Sequence, residues 1–101
     1  MTVWLYVLRC ADGSYYVGTT RVDPEIRVSE HNAGVHPRAW TARRRPVTLA
    51  FSEPFADASD AVAAERQVKG WRREKKDALI RRDFALLPAL SRRGRGGPRE
   101  G

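Results

Sequence analysis

Two strand-like runs near the N-terminus, Val3 to Arg9 and Ser14 to Thr20, flank Ala11-Asp12-Gly13. Such a turn between runs rich in β-branched, aromatic and aliphatic residues signals a β-hairpin, and a hairpin commits the domain to antiparallel pairing. Loop length sets the register. A three-residue loop with Gly13 left-handed pairs Cys10 with Ser14, so Leu8 faces Tyr16, Tyr6 faces Gly18, and the two tyrosines share a face. A two-residue Asp-Gly loop would slip the register by one and put them on opposite faces. We expect the three-residue loop.

Downstream, Asp23-Pro24-Glu25 reads as a helix start: a capping carboxylate, a proline suited to the first position, and an acid at the positive end of the dipole. This helix should reach Asn32–Ala33 and stop at Gly34. Val35 to Pro46 reads as a basic loop, Val47 to Ser52 as a third strand ended by Pro54, and Asp57 to Val68 as a helix capped by Asp57 or Ser59. Gly70 interrupts the pattern. Arg72 to Arg82 resumes it, with Ala78, Leu79 and Phe84 inward. The expected fold is α/β of the α+β kind: a small three-stranded antiparallel sheet flanked by helices, in the order β-β-α-β-α-α.

With 101 residues there is room for one core. Residues 1–90 are expected to form the domain. Residues 91–101, SRRGRGGPREG, have no large apolar side chain and are expected to be a disordered Arg/Gly-rich tail. A single cysteine excludes an internal disulfide and a Cys-rich zinc site. No run approaches the roughly 18 apolar residues of a membrane span, and the N-terminus does not resemble a signal peptide. A cytoplasmic location is expected, with no membrane partner. The net charge of +7 raises nucleic acid as a partner. The charge is concentrated. Arg38, Arg43, Arg44 and Arg45 form one acid-free segment, and Lys69, Arg72, Arg73, Lys75 and Lys76 belong to a second. Both are candidate nucleic-acid-binding segments.

No phosphate-binding glycine loop, nucleophile elbow or zinc motif is present in the sequence. What stands out is a scattered polar set: Tyr6 and Tyr16 in mid-strand, Gly18 beside them, Arg27 and His31 four apart on one helix face, and Glu65 at the edge of an apolar stripe. Each alone has an ordinary structural reading. Arg27 would pair with Glu30, Glu65 with Lys69, and His31 would favour the helix dipole. Together they suit phosphodiester hydrolysis. One carboxylate can hold a divalent ion that keeps most of its waters, an arginine offers planar charge to phosphate, and a tyrosine of lowered pKa can take a proton from water.

Trp4-Leu5-Tyr6, then nine residues, then Tyr16-Val17-Gly18, resembles the paired motif of the GIY-YIG nucleases, with Trp4 where the family often has glycine. Arg27 and His31 in EIRVSEHNAG resemble the helix after that motif, and Glu65 in AAERQVKGWRREKKDALI resembles the family's metal-binding glutamate. The pattern is most similar to the small stand-alone bacterial members. The resemblance implies a metal-dependent DNA endonuclease, in repair or recombination. Tyr6, Tyr16, Arg27, His31 and Glu65 are then the catalytic set, Glu65 the ligand for Mg²⁺ or Mn²⁺, and Tyr6 the base with Tyr16 positioning water or phosphate. Thr19 and Lys69 are placed behind that set. Substrate choice is expected from a protein partner or from DNA structure. The rival expectation is a non-catalytic nucleic-acid-binding module that keeps the fold.

Overall fold

The computed structural model describes residues 1–84; the expected tail, 91–101, lies outside the described residues. The chain divides into two compact units, the first being Met1–Arg66 and the second beginning at Gln67.

In the first unit, β1 (Val3–Arg9), β2 (Tyr15–Thr20) and β3 (Thr48–Phe55) form one antiparallel sheet in the order β2-β1-β3. The central position of β1 explains its nearly unbroken apolar run, since both of its faces are covered. Val3, Leu5, Tyr6, Val7 and Leu8 are all buried. The β1–β2 turn is the three-residue form. Gly13 has φ 87°, and the Cys10 and Gly13 amides donate to Ser14 and Cys10 carbonyls, each at 2.9 Å. Leu8 therefore faces Tyr16 and Tyr6 faces Gly18, as expected.

Helix α1 spans Pro24–Ala33. The Asp23 carboxylate accepts from the Glu25 amide at 2.8 Å, and Gly34 ends the helix at φ 77°. A two-point clamp ties its last turn to the sheet. Asn32 Nδ2 donates to the Val47 carbonyl at 2.9 Å, and the Val47 amide donates to Asn32 Oδ1 at 2.7 Å. Val47 is fully buried beside Tyr6, Leu8 and Cys10, so the clamp fixes the end of α1 to the core. Asn32→Ala should cost about 1–2 kcal/mol of stability for these two bonds, read as a lower urea midpoint with an unchanged m-value.

Two features of the first unit depart from the sequence reading. The basic segment is not all loop: Trp40–Arg43 forms a 3₁₀ turn, η1. Its end is pinned to the hairpin, where the Ala11 amide donates to the Arg44 carbonyl at 2.9 Å and Arg44 Nε lies 3.2 Å from Asp12 Oδ2. Pro54 does not end β3, which runs on to Phe55 with Pro54 opposite Trp4. β3 lies at the sheet edge, where the missing N–H is tolerated. The pairing also shifts between Val7 and Leu8, whose partners are Phe51 and Leu49. That bulge leaves Ala50 unpaired and brings Leu49 against the Tyr6–Leu8 cluster.

Helix α2 (Ala58–Lys69) begins in the first unit. Asp57 caps it by accepting from the Ser59 amide at 2.9 Å. In the second unit, α3 spans Arg73–Ile80 and buries Ala78 and Leu79. Phe84 is half exposed rather than inward. The helix stops at Ile80 and Arg82 takes φ 59°, so the helical spacing that would have turned Phe84 inward no longer applies. Apart from η1, the element order is β-β-α-β-α-α.

Candidate active site

The hairpin register and the α1 clamp bring four of the five candidate side chains to one place. Tyr6, Tyr16, Arg27 and His31 line a single cleft of ≈ 530 Å³, together with Thr19 and the start of the basic segment, His36 to Ala39. The tyrosine rings stand 6.2 Å apart, centroid to centroid. Gly18 makes that approach feasible, because a Cβ there would lie 2.9 Å from Tyr6 Oη and 3.1 Å from Tyr16 Cε2. The glycine is therefore a close-approach position between two rings.

Arg27 is half-buried. Its Nη1 is 2.9 Å from Glu30 Oε1, and that carboxylate oxygen also lies 3.1 Å from His36 Nε2. The ordinary reading of Arg27, a pair with Glu30, is thus realised, but it engages only one end of the guanidinium. Arg27 Nε is buried and has no hydrogen-bond partner among the described residues. An unsatisfied donor on a cation beside an open cleft suits an incoming anion. His36 and then Arg27 hold the Glu30 carboxyl below its ordinary value, so Glu30 remains an anion that steadies the arginine.

His31 is buried and its Nδ1 lies 2.7 Å from Thr41 Oγ1. Burial, then the neighbouring His36 and Arg27, push its pKa below the usual imidazole value, outweighing Glu30. The unfolded chain therefore binds the extra proton more readily than the folded one. Stability should be fully present above about pH 6.5 and fall as pH drops from there. Urea melts between pH 7.5 and 5 should show this slope, and His31→Gln should flatten it.

Tyr6 departs from the expected low-pKa phenol. Burial is the main cause, with Tyr16, Glu65 and Glu30 adding to it and Arg27 opposing, and the pKa is pushed up to about 12. Glu65 does not line the cleft. It sits half-buried on α2, with its charge felt at the Tyr6 hydroxyl. Among the described residues no cluster of three or more His, Cys, Asp or Glu could cage a metal. The donor set fits a hydrated divalent ion on a single carboxylate and does not fit a closed protein site.

Of the basic candidates, Arg38 lines the cleft. Arg43 and Arg45 flank a separate depression with Asn32 and Pro46. Arg44 lies 3.8 Å over the Trp40 ring, and Trp40 stacks on Tyr16 at 6.1 Å. In the second unit, Lys69, Arg72 and Arg73 are exposed, with Arg72 paired to Glu74 at 3.0 Å. Lys76 is half-buried, and burial followed by Arg73 lowers its pKa. Lys75 is not the solvent-facing cation expected: it is buried, with its ammonium 3.9 Å over the Trp71 ring. Its helix position turns it inward, and the aromatic face compensates the charge.

Sequence reasoning missed His36, Trp40 and Thr41 as parts of the cleft region. Their separation from His31 and Tyr16 along the chain gives no periodic signal: His36 folds back onto Arg27, Glu30 and His31 just after α1 ends, and the η1 turn brings Trp40 to Tyr16 and Thr41 to His31.

The family model for the GIY-YIG catalytic domain matches residues 2–77. A UPF0213 protein of Lacticaseibacillus paracasei is 44% identical over 79 residues, covering 78% of this chain and 86% of that protein. One from Halobacterium salinarum is 44% identical over 76 residues, covering 75% and 96%. Two solution NMR structures are similar in fold. The E. faecalis protein EF2693 has a TM-score of 0.58 at 38% identity, covering 85% of this chain and 88% of that one. The UPF0213 protein BH0048 from Bacillus halodurans has a TM-score of 0.51 at 34% identity, covering 79% and 83%. With the match extending over both motif strands, α1 and the Glu65 helix, the chain belongs to the GIY-YIG family, alongside the UPF0213 proteins.

Proposed function

We propose that the chain is a metal-dependent endonuclease that hydrolyses DNA phosphodiester bonds, with residues 1–90 as its nuclease domain and a role in DNA repair or recombination. The observation that carries this reading is the convergence of Tyr6, Tyr16, Arg27 and His31 on one cleft, with the buried, unpartnered Arg27 Nε beside it. The lone buried cysteine suits a cytoplasmic setting, and among the described residues no helix is long and apolar enough to cross a membrane.

Each residue has a distinct role in this reading. Arg27 donates from Nε to a non-bridging phosphate oxygen while Glu30 holds its other end. Glu65 holds Mg²⁺ or Mn²⁺, which when bound supplies Lewis acidity and a more acidic water. Tyr6 keeps its proton in the free protein. It serves as base only where positive charge gathered at Glu65 offsets the burial and the anions that raise its pKa. Tyr16 orients water or phosphate, Thr19 lines the cleft beside it, and neutral His31 assists by hydrogen bonding. Arg38, Arg43, Arg44 and Arg45 would meet the nucleic-acid backbone, as would Lys69, Arg72, Arg73 and Lys76 of the second unit. Affinity should then fall steeply with salt. Substrate choice is assigned to a protein partner or to DNA structure.

The test is incubation of single-stranded, nicked and branched DNA with the full chain and Mg²⁺ or Mn²⁺. Cleavage that is lost in Glu65→Gln supports the reading. Tight, salt-sensitive binding with no cleavage under any of these conditions would assign the chain to the non-catalytic alternative.

A further inference from the structure

Thr41 carries the most thoroughly buried side-chain hydroxyl beside the cleft, at 1% exposure. Burying a hydroxyl is unfavourable unless it is hydrogen-bonded, and its partner is His31 Nδ1 at 2.7 Å. The turn that carries Thr41 is held from several directions. The Arg44 amide donates to the Thr41 carbonyl at 2.9 Å, the Ala42 amide to Ala39 at 2.9 Å, and Arg44 Nη1 to the Trp40 carbonyl at 2.7 Å. Through Arg44 the turn is also fastened to the hairpin at Ala11 and Asp12. The hydroxyl is therefore presented to His31 by a turn that is itself held in place.

We propose that Thr41 is a positioning residue, whose hydroxyl donates to His31 Nδ1 and so fixes the imidazole as the tautomer that carries its proton on Nε2. This rests on the nuclease reading for its consequence, although the tautomer itself does not. A hydroxyl has one proton and two lone pairs. If Nδ1–H donated to Thr41 instead, the buried hydroxyl proton would need another acceptor, whereas donation to Nδ1 satisfies it. An unmet buried donor is costly, so the second arrangement prevails. With Nδ1 spent, Nε2–H is the group His31 can offer the cleft, a neutral donor suited to a phosphate oxygen or a leaving oxygen. The charge state agrees with this, because burial keeps the ring neutral. Tyr16, 5.9 Å from the ring centroid, and His36, 5.6 Å from it, pack against the imidazole and limit its rotation.

The experiment records the ring ¹⁵N resonances of His31 at pH 7.5 in the full wild-type chain, Thr41→Val and Thr41→Ser, and turnover on whichever DNA the wild type cleaves with Mg²⁺. The wild type and Thr41→Ser should show a pyridine-like Nδ1 and a pyrrole-like Nε2. Thr41→Val, which keeps the shape and removes the donor, should show mixed tautomers with the backbone amide spectrum otherwise preserved. Its kcat should fall roughly tenfold with little change in KM, the loss expected for one positioning hydrogen bond, and Thr41→Ser should recover most of it. A protonated Nδ1 in the wild type, or identical ring spectra in wild type and Thr41→Val, overturns the proposal. Unchanged kcat in a Thr41→Val chain with altered tautomers overturns its catalytic consequence. Should Thr41→Val fail to fold, the wild-type and Thr41→Ser spectra still decide the tautomer. A wild type that cleaves no DNA defeats the nuclease reading and leaves the ring spectra to judge Thr41.

Discussion

Glu65→Gln should abolish Mg²⁺-dependent cleavage, lowering turnover roughly 10³-fold, since loss of a metal's Lewis acidity and water activation removes several kcal/mol of transition-state stabilisation. The substitution keeps side-chain length and shape, removes the charge and exchanges one acceptor oxygen for an NH2 donor. A second readout needs no substrate. Burial and then Tyr16 are the larger causes of the raised Tyr6 pKa, with Glu65 adding to them, so deleting the Glu65 charge should lower the Tyr6 titration by a small amount and leave it well above the ordinary phenol value. Ultraviolet titration of the tyrosines measures this. A third readout is Mn²⁺, which should broaden resonances around Glu65 and Tyr6 in the wild type and leave them sharp in the variant. Undiminished cleavage by Glu65→Gln would remove the carboxylate from the reaction, whatever the tyrosine does. Unchanged Tyr6 titration would show that the two groups do not feel each other.

The part of this arrangement that could be read from the chain is the part made by neighbours in sequence. The Ala11-Asp12-Gly13 turn fixes the hairpin register, and the register alone puts Tyr6, Tyr16 and Gly18 on one face. Local caps fix α1, so Arg27 and His31 fall on the same side with four-residue spacing. What was hidden depends on distant partners. The bulge at Ala50 and the extension of β3 through Pro54 follow from where β3 lies in the sheet. The η1 turn is held through Arg44 by the hairpin. The high pKa of Tyr6 follows from burial, which its sequence neighbourhood does not disclose. Lys75 looks like one more cation in a basic run until its ammonium is found over Trp71.

Arg27→Lys is the sharper test of the phosphate contact, because it preserves the charge and removes the fork. In the wild type one end of the guanidinium is spent on Glu30, at 2.9 Å, while Nε is buried without a partner among the described residues. A lysine can keep the ion pair with Glu30, but its three donors radiate from a single nitrogen, so it lacks the rigid fork that holds Glu30 at one edge and keeps a separate, fixed donor at another. Ground-state attraction for DNA, which depends on total positive charge, should therefore change less than about threefold at fixed salt. Turnover should fall about 100-fold or more, because the lost hydrogen bond is strongest when charge builds on the non-bridging oxygens. Arg27→Ala should lose the same turnover and also release Glu30, leaving an anion beside the cleft that repels phosphate, so its affinity should drop further than that of the lysine variant. The pair of variants separates charge from geometry. If Arg27→Lys cleaves as the wild type does, the unpartnered Nε is not the phosphate donor and the guanidinium serves only to anchor Glu30 and His36. If both variants lose affinity and turnover in equal proportion, Arg27 acts on binding and not on the transition state.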